Sequence, residues 1–178
     1  HRDLHSFPTR RSSDLQTSIG KGNVALGKVF KAIDARLGVP GLPQSATGQT
    51  ALFTGTNAPQ LAGRHINGFP TPTLRKILER SSIFKQINQT GKKAVFANIF
   101  TQEYFESVRR GRWRHSASTT AALAGGCRLL MVDDLNRGYG VYQDLTNEQL
   151  RDKNYPVPLV PPETAGENLV RLAKLNDF

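Results

Sequence analysis

Three hydroxyl side chains and a glycine precede a short apolar segment in Leu42-Pro-Gln-Ser45-Ala-Thr47-Gly48-Gln49-Thr50-Ala-Leu-Phe-Thr54-Gly55. A turn of this composition entering a helix holds a serine oxygen beside backbone N–H groups that lack helical partners, in a field that favours anions. That is the setting for a nucleophile that accepts a phosphate group. Ser45 is the first candidate and Thr47 the second. Gly48 admits close backbone approach, and Gln49 can hydrogen-bond a phosphate. The alternative is that Ser45 and Thr47 only cap the helix. A serine hydroxyl is a poor nucleophile at neutral pH until its pKa is lowered. A pair of divalent cations can do this by binding the alkoxide and the phosphate oxygens together.

Three further groups carry chemistry. Arg64 and His65, in Ala62-Gly-Arg-His-Ile-Asn-Gly-Phe-Pro70, can bind a substrate phosphate, the arginine by a two-pronged contact; the alternative is an unliganded surface loop. Arg109-Arg-Gly-Arg-Trp-Arg114-His115 interleaves cations with an aromatic ring, which suits single-stranded nucleic acid or a solvated helix end. Asp133-Asp134 is either a carboxylate pair for acid–base or metal work or a helix cap. Other signatures fail. Gly20-Lys-Gly22-Asn-Val-Ala25 has no preceding strand and meets Asp34 too soon for a dinucleotide site. Neither a Gly-x-x-x-x-Gly-Lys-Ser/Thr loop nor a Gly-x-Ser-x-Gly elbow occurs. The histidines, His1, His5, His65 and His115, form no cluster with Cys127, so the chain assembles no complete metal site from sequence.

The elements that must position these groups follow from periodicity. Val24, Leu26, Val29, Phe30, Ile33 and Leu37 recur at helical spacing until Gly38 and Pro40. Residues 50–56 read as helix, and Thr71 with Pro72 starts another through Leu74 to Glu79. Ser82–Gln89 continues as helix up to Gly91. Lys93–Phe100 is the best strand, Thr101 caps a helix through Val108, Ser118–Ala124 is a small-residue helix, and Arg128–Val132 is a second strand. Tyr139–Arg151 is expected to be helical, and Pro162 to open a last helix. Helices alternating with strands predict an α/β architecture.

The 178 residues suffice for one sizeable core. Net charge is +10, with ten Lys/Arg against three Glu between Arg75 and Arg114, a nucleic-acid patch, a funnel for small anions or a solvated face. The lone Cys127 excludes a disulfide framework and favours a reducing, cytoplasmic setting. No apolar run approaches membrane-spanning length. His5-Ser-Phe-Pro-Thr-Arg-Arg-Ser-Ser-Asp-Leu15 resembles the conceptual translation of a sequencing adapter, so residues 1–15 are left out of fold reasoning. The chain reads as a fragment at both ends.

Ser45-Ala-Thr-Gly48-Gln49 resembles the Ser/Thr-x-x-Gly-His stretch around the nucleophile of cofactor-independent phosphoglycerate mutases and phosphopentomutases, of the alkaline phosphatase superfamily. Leu52-Phe-Thr-Gly55 is similar to the Leu-x-Thr-Gly that follows the nucleophile in the nucleotide pyrophosphatase branch, and both registers select Ser45. Residues 37–57 resemble a metalloenzyme group within that superfamily. Val141-Tyr-Gln-Asp-Leu-Thr-Asn147 resembles a mutase segment that lies nearer the serine there.

The resemblance implies a layered αβα core, with residues 16–57 a core piece, 58–132 a cap-like α/β insertion and 133–178 a return to the core. It implies two divalent cations (Mn, Zn or Mg), with Ser45 itself a ligand, and a small phosphorylated substrate. The family's Asp-Gly strand before the nucleophile and its Asp and His ligands after it are missing here. The expectation is therefore a metal-dependent phosphomutase or phosphatase whose fragment is inactive alone. The other reading is a basic α/β module that binds nucleic acid through residues 109–115.

Overall fold

Helix α1 (Ser45–Thr54) starts where Gln44 leaves extended backbone and stops at Gly55, whose φ of 67° is the left-handed conformation glycine adopts without penalty. The computed structural model to which it belongs describes residues 33–178, and Ala35–Phe178 form one compact unit. The dinucleotide-like segment, residues 1–15 and most of the first expected helix lie outside the described residues.

α1 buries Ala46, Thr47 and Thr50. The short helix α2 (Ala58–Ala62) follows, capped by the Asn57 side chain. In α3 (Pro72–Ser81) the cap is Thr71, whose hydroxyl accepts from the Leu74 N–H, with Pro72 in the first turn as expected. Leu74 and Leu78 are fully buried. At Ser82 the chain turns into α4 (Ile83–Gln89), and the buried Ser82 hydroxyl donates to the Ala121 carbonyl at 2.6 Å. Strand β1 (Ile99–Phe100) leads into α5 (Gln102–Arg109), capped by Thr101, and then α6 (Ala117–Ala124), capped by Ser116. Strand β2 (Leu130–Met131) pairs parallel to β1, Ile99 opposite Leu130 and Phe100 opposite Met131. Helices α7 (Val132–Asn136), α8 (Glu148–Asp152) and α9 (Pro162–Leu175) complete the unit.

The result is α/β in the coarse sense: packed helices around a two-stranded parallel sheet. α1 and α6 meet through alanines and threonines, whose small side chains let the backbones approach. Two of their buried hydroxyls are satisfied one turn back along the chain, Thr50 donating to the Ala46 carbonyl at 2.7 Å and Thr120 to the Ser116 carbonyl at 2.8 Å. Gly125 ends α6 against α4: a Cβ there would lie 2.5 Å from Phe84 Cβ, so no larger residue fits without movement. One apolar cluster joins Leu78, Phe84 and Ala121, and a second gathers Ile99, Leu130, Leu150 and Leu172 around the sheet. Across the boundary expected at 57/58, α1 packs on α2, α3 and α6.

Two expected elements are corrected. Of Lys93–Phe100 only Ile99–Phe100 forms a ladder. Its first residues pair instead with the end of the chain, Asp177 N–H donating to the Lys93 carbonyl at 2.8 Å and Val95 N–H to the Phe178 carbonyl at 2.8 Å. Tyr139–Arg151 is helical only at its end. Gly138 and Gly140 have φ of 76° and 96°, and Leu145 has 62°, which no helix accommodates. Val141 instead exchanges hydrogen bonds with Ile99 and Ala97 at 2.9 and 2.8 Å. A Cβ on Gly140 would sit 2.7 Å from Ile99 Cδ1, so the segment lies close to β1 only because that residue is glycine.

The Asp133-Asp134 pair resolves as a cap. Asp134 is buried, accepts the Met131 N–H at 2.8 Å, and meets Arg128 through two bonds of 2.7 and 2.9 Å and Arg137 through one of 2.9 Å. The Arg128 guanidinium holds its carboxyl at about 2, below the ordinary 3.8. Since the folded value lies below the unfolded one, the stabilisation is complete above the ordinary carboxylate range and is lost as pH falls toward the folded value. Asp134→Asn should therefore lower stability at neutral pH by about 1–3 kcal/mol. Melting curves recorded down to acid pH should show the two proteins converging as Asp134 protonates.

Candidate functional site

The chain folds back on the start of α1 through the loop from Gly63 to Pro70. The Ile66 carbonyl accepts the N–H groups of Ala46 and Thr47 at 3.0 and 3.3 Å, and the Ile66 N–H donates to Thr47 Oγ1 at 3.2 Å. Thr47 is fully buried and its hydroxyl also donates to the Gln44 carbonyl at 3.3 Å. The second candidate nucleophile is thus corrected to a structural role: its oxygen is closed off from any substrate and ties two segments together.

Ser45 is exposed in the first turn of α1. Its Oγ accepts the Gly68 N–H at 2.9 Å and donates to Asn67 Oδ1 at 3.1 Å. Asn67 Oδ1 also accepts the Gly68 N–H, at 2.8 Å. Gly68 adopts φ of 70°, so the loop turns tightly enough to aim its amide at the serine. Among the described residues, the Ser45 N–H meets no protein oxygen. A hydroxyl, two backbone N–H groups and an amide oxygen therefore meet at one exposed point. Sequence reasoning missed Asn67 and Gly68. The available signal was their Asn-Gly dipeptide, a turn former that reverses the chain.

The remaining candidates part company. Gln49, one turn along α1 from Ser45, spends its Oε1 on the Ser118 N–H of α6 at 3.3 Å, so its oxygen buttresses two helices. His65 places Nε2 3.2 Å from the Val39 carbonyl, tying its loop to the 38–43 turn. Arg64 is exposed, with no hydrogen bond or ion pair from its side chain among the described residues. The structure brings Ser45 together with Asn67 and Gly68, and among the expected substrate-binding side chains it leaves the Arg64 guanidinium and the Gln49 Nε2 donor uncommitted among the described residues.

Two divalent cations prefer carboxylate and imidazole donors. Around Ser45 the donors are a hydroxyl and a neutral amide oxygen. Among the described residues no three His, Cys, Asp or Glu side chains cluster. These residues do not fit a two-cation centre.

In residues 109–115, Arg109, Arg110, Arg112, Trp113 and Arg114 are all exposed. His115 Nδ1 lies 2.7 Å from the Tyr104 hydroxyl, and burial lowers the histidine's pKa and raises the tyrosine's. Among the described residues no helix is long and apolar enough to cross a membrane.

Comparison with family models, curated proteins and solved structures yields no match.

Replacing Thr47 by Val keeps its volume but strands the Ile66 N–H. Thr47→Val should destabilise the unit by about 1–3 kcal/mol, read as a lower urea midpoint with unchanged slope.

Proposed function

We propose that Ser45 is the nucleophile of a phosphate-ester transferase or hydrolase of the alkaline phosphatase superfamily type. The observation that carries this reading is the exposed Ser45 hydroxyl held between the Gly68 N–H and Asn67 Oδ1 at the start of α1. An Oγ lone pair forms the bond to phosphorus, and the ester P–O bond breaks with its electron pair on the departing alkoxide. The serine proton leaves to solvent, since Asn67 is a hydrogen-bond acceptor and no base. Water then hydrolyses the phosphoserine, or an acceptor alcohol takes its phosphoryl group. The Ser45 and Gly68 amides are the backbone donors closest to the entering group, and the positive end of α1 favours its charge.

In this reading the chain is one part of a larger layered αβα fold, with 16–57 and 133–178 as core pieces and 58–132, which holds β1 and β2, as the small α/β cap-like insertion. The cations implied by the resemblance take their ligands from outside the described residues, and no step here is assigned to them.

A second reading has its own support. The four exposed arginines of residues 109–114 flank Trp113, which is 57% exposed, and none forms an ion pair among the described residues. That combination suits a polyanion with stacking bases.

The test is to incubate the chain, and a longer protein that contains it, with phosphate esters and Mn²⁺, Zn²⁺ or Mg²⁺. Mass spectrometry should find phosphate on the peptide carrying Ser45, and Ser45→Ala should reduce turnover by about 10³-fold or more. Turnover that survives Ser45→Ala would sink the reading. Oligonucleotide binding that falls steeply with salt and is lost when the arginines are replaced would favour the second.

A further inference from the structure

A cleft of about 510 Å³ opens between α5, the start of α6 and the sheet. Its walls carry Phe69, Phe100, Tyr104, Trp113 and Tyr142, an unusual density of rings for a surface feature. Trp113 and Phe69 are 57% and 46% exposed, so they remain open to a ligand. The wall behind them is built rather than loose. Tyr104 packs on Phe100 at 4.8 Å between centroids and edge-on to Trp113 at 6.1 Å, while its hydroxyl is held by His115. Arg114 also lines the cleft, and its guanidinium has no acidic partner among the described residues. The carboxylate in the lining, Glu103, is engaged by the Tyr155 hydroxyl.

Two hydrogen-bonded links join this cleft to the serine. Phe69 directly follows Gly68, the residue whose amide donates to Ser45 Oγ. Ser116 and Thr119 also line the cleft, and between them in sequence Ser118 donates its amide to Gln49, one turn from Ser45 on α1. Two stretches of the cleft lining are thus tied to the helix that carries the serine.

We propose that the cleft is the subsite for the organic body of the phosphate ester, and that this body is a planar aromatic group, making the substrate an aryl phosphate. The assignment as a substrate subsite rests on Ser45 being the nucleophile. Rings favour a planar partner through stacking. A short polyhydroxylated body would instead turn its hydroxyls toward apolar walls without partners. Arg114 adds the cation an ester dianion requires.

Trp113 is the single tryptophan of the chain, so its fluorescence reports on the cleft directly. Phenyl phosphate should quench it saturably and bind about tenfold more tightly than glycerol 2-phosphate. Arg114→Gln, at an exposed position, should weaken phenyl phosphate about tenfold. Ser45→Ala should keep that affinity within about twofold while abolishing phosphorylation of the longer protein that contains the chain. Equal affinity for the two esters, with Ser45 of the longer protein still phosphorylated, would overturn the cleft assignment and leave the nucleophile standing. Aryl preference without any phosphate on Ser45 of the longer protein would overturn the nucleophile and, with it, the cleft's role as a substrate subsite. Displacement of phenyl phosphate by oligothymidylate with a steep salt dependence would reassign the surface to nucleic acid and overturn the proposal.

Discussion

The peptide group of Ile66 holds the start of α1 in place. Its carbonyl accepts two amides of the first helical turn and its N–H donates to the buried Thr47 hydroxyl. Each of those groups would cost about 1–3 kcal/mol if buried without a partner. The clasp has a chemical consequence as well. Helix N-termini attract anions through their unpaired amides, yet here the Ala46 and Thr47 amides are already occupied. The Gly68 amide is likewise taken by Ser45 Oγ and Asn67 Oδ1, which leaves the Ser45 amide as the open donor beside the serine oxygen among the described residues. Because Asn67, Gly68 and Phe69 follow Ile66 directly, the same clasp sets the serine's partners and one rim of the aromatic cleft.

Small residues make that arrangement possible. Alanines and threonines on α1 and α6 allow close helix packing, and the Thr50 and Thr120 hydroxyls bond carbonyls one turn back along the chain. Gln49 then bridges to the start of α6, which also lines the cleft. On the sheet side, Asp134 gathers Arg128, Arg137 and the Met131 amide at the point where β2 becomes α7. Parallel pairing of β1 with β2 requires the long excursion through α5 and α6, and that excursion presents Tyr104, Trp113 and Arg114 together.

Local rules were legible wherever the deciding contacts were local. Thr71 with Pro72, Thr101, and Pro162 start helices as their side-chain chemistry dictates. The rules failed where a distant segment decided. Tyr139 to Asn147 has a helical apolar pattern but carries glycines that let it lie against β1, and tertiary pairing outweighs propensity there. Lys93 to Ala97 has the composition of a strand, but its partners are the last residues of the chain, reached only after α9 folds back. Gln49, Thr47 and His65 have functional residue types, and each is spent on holding one segment to another.

By itself the sequence determined a hydroxyl-rich turn at Ser45 leading into a helix, though it set that helix at 50–56 and the fold begins it at Ser45, together with the capped helices, a mixed α/β class and a strongly basic composition, because these depend on residues within a turn or two of each other. Only the tertiary structure decided which hydroxyl stays open. Ser45 and Thr47 are two positions apart with similar chemistry, but a loop some twenty residues downstream, at Asn67 and Gly68, faces the first with hydrogen bonds and seals the second. The aromatic cleft likewise exists only once rings from separate elements converge. Which oxygen water and substrate can reach is set by burial, and burial is a property of the packed chain.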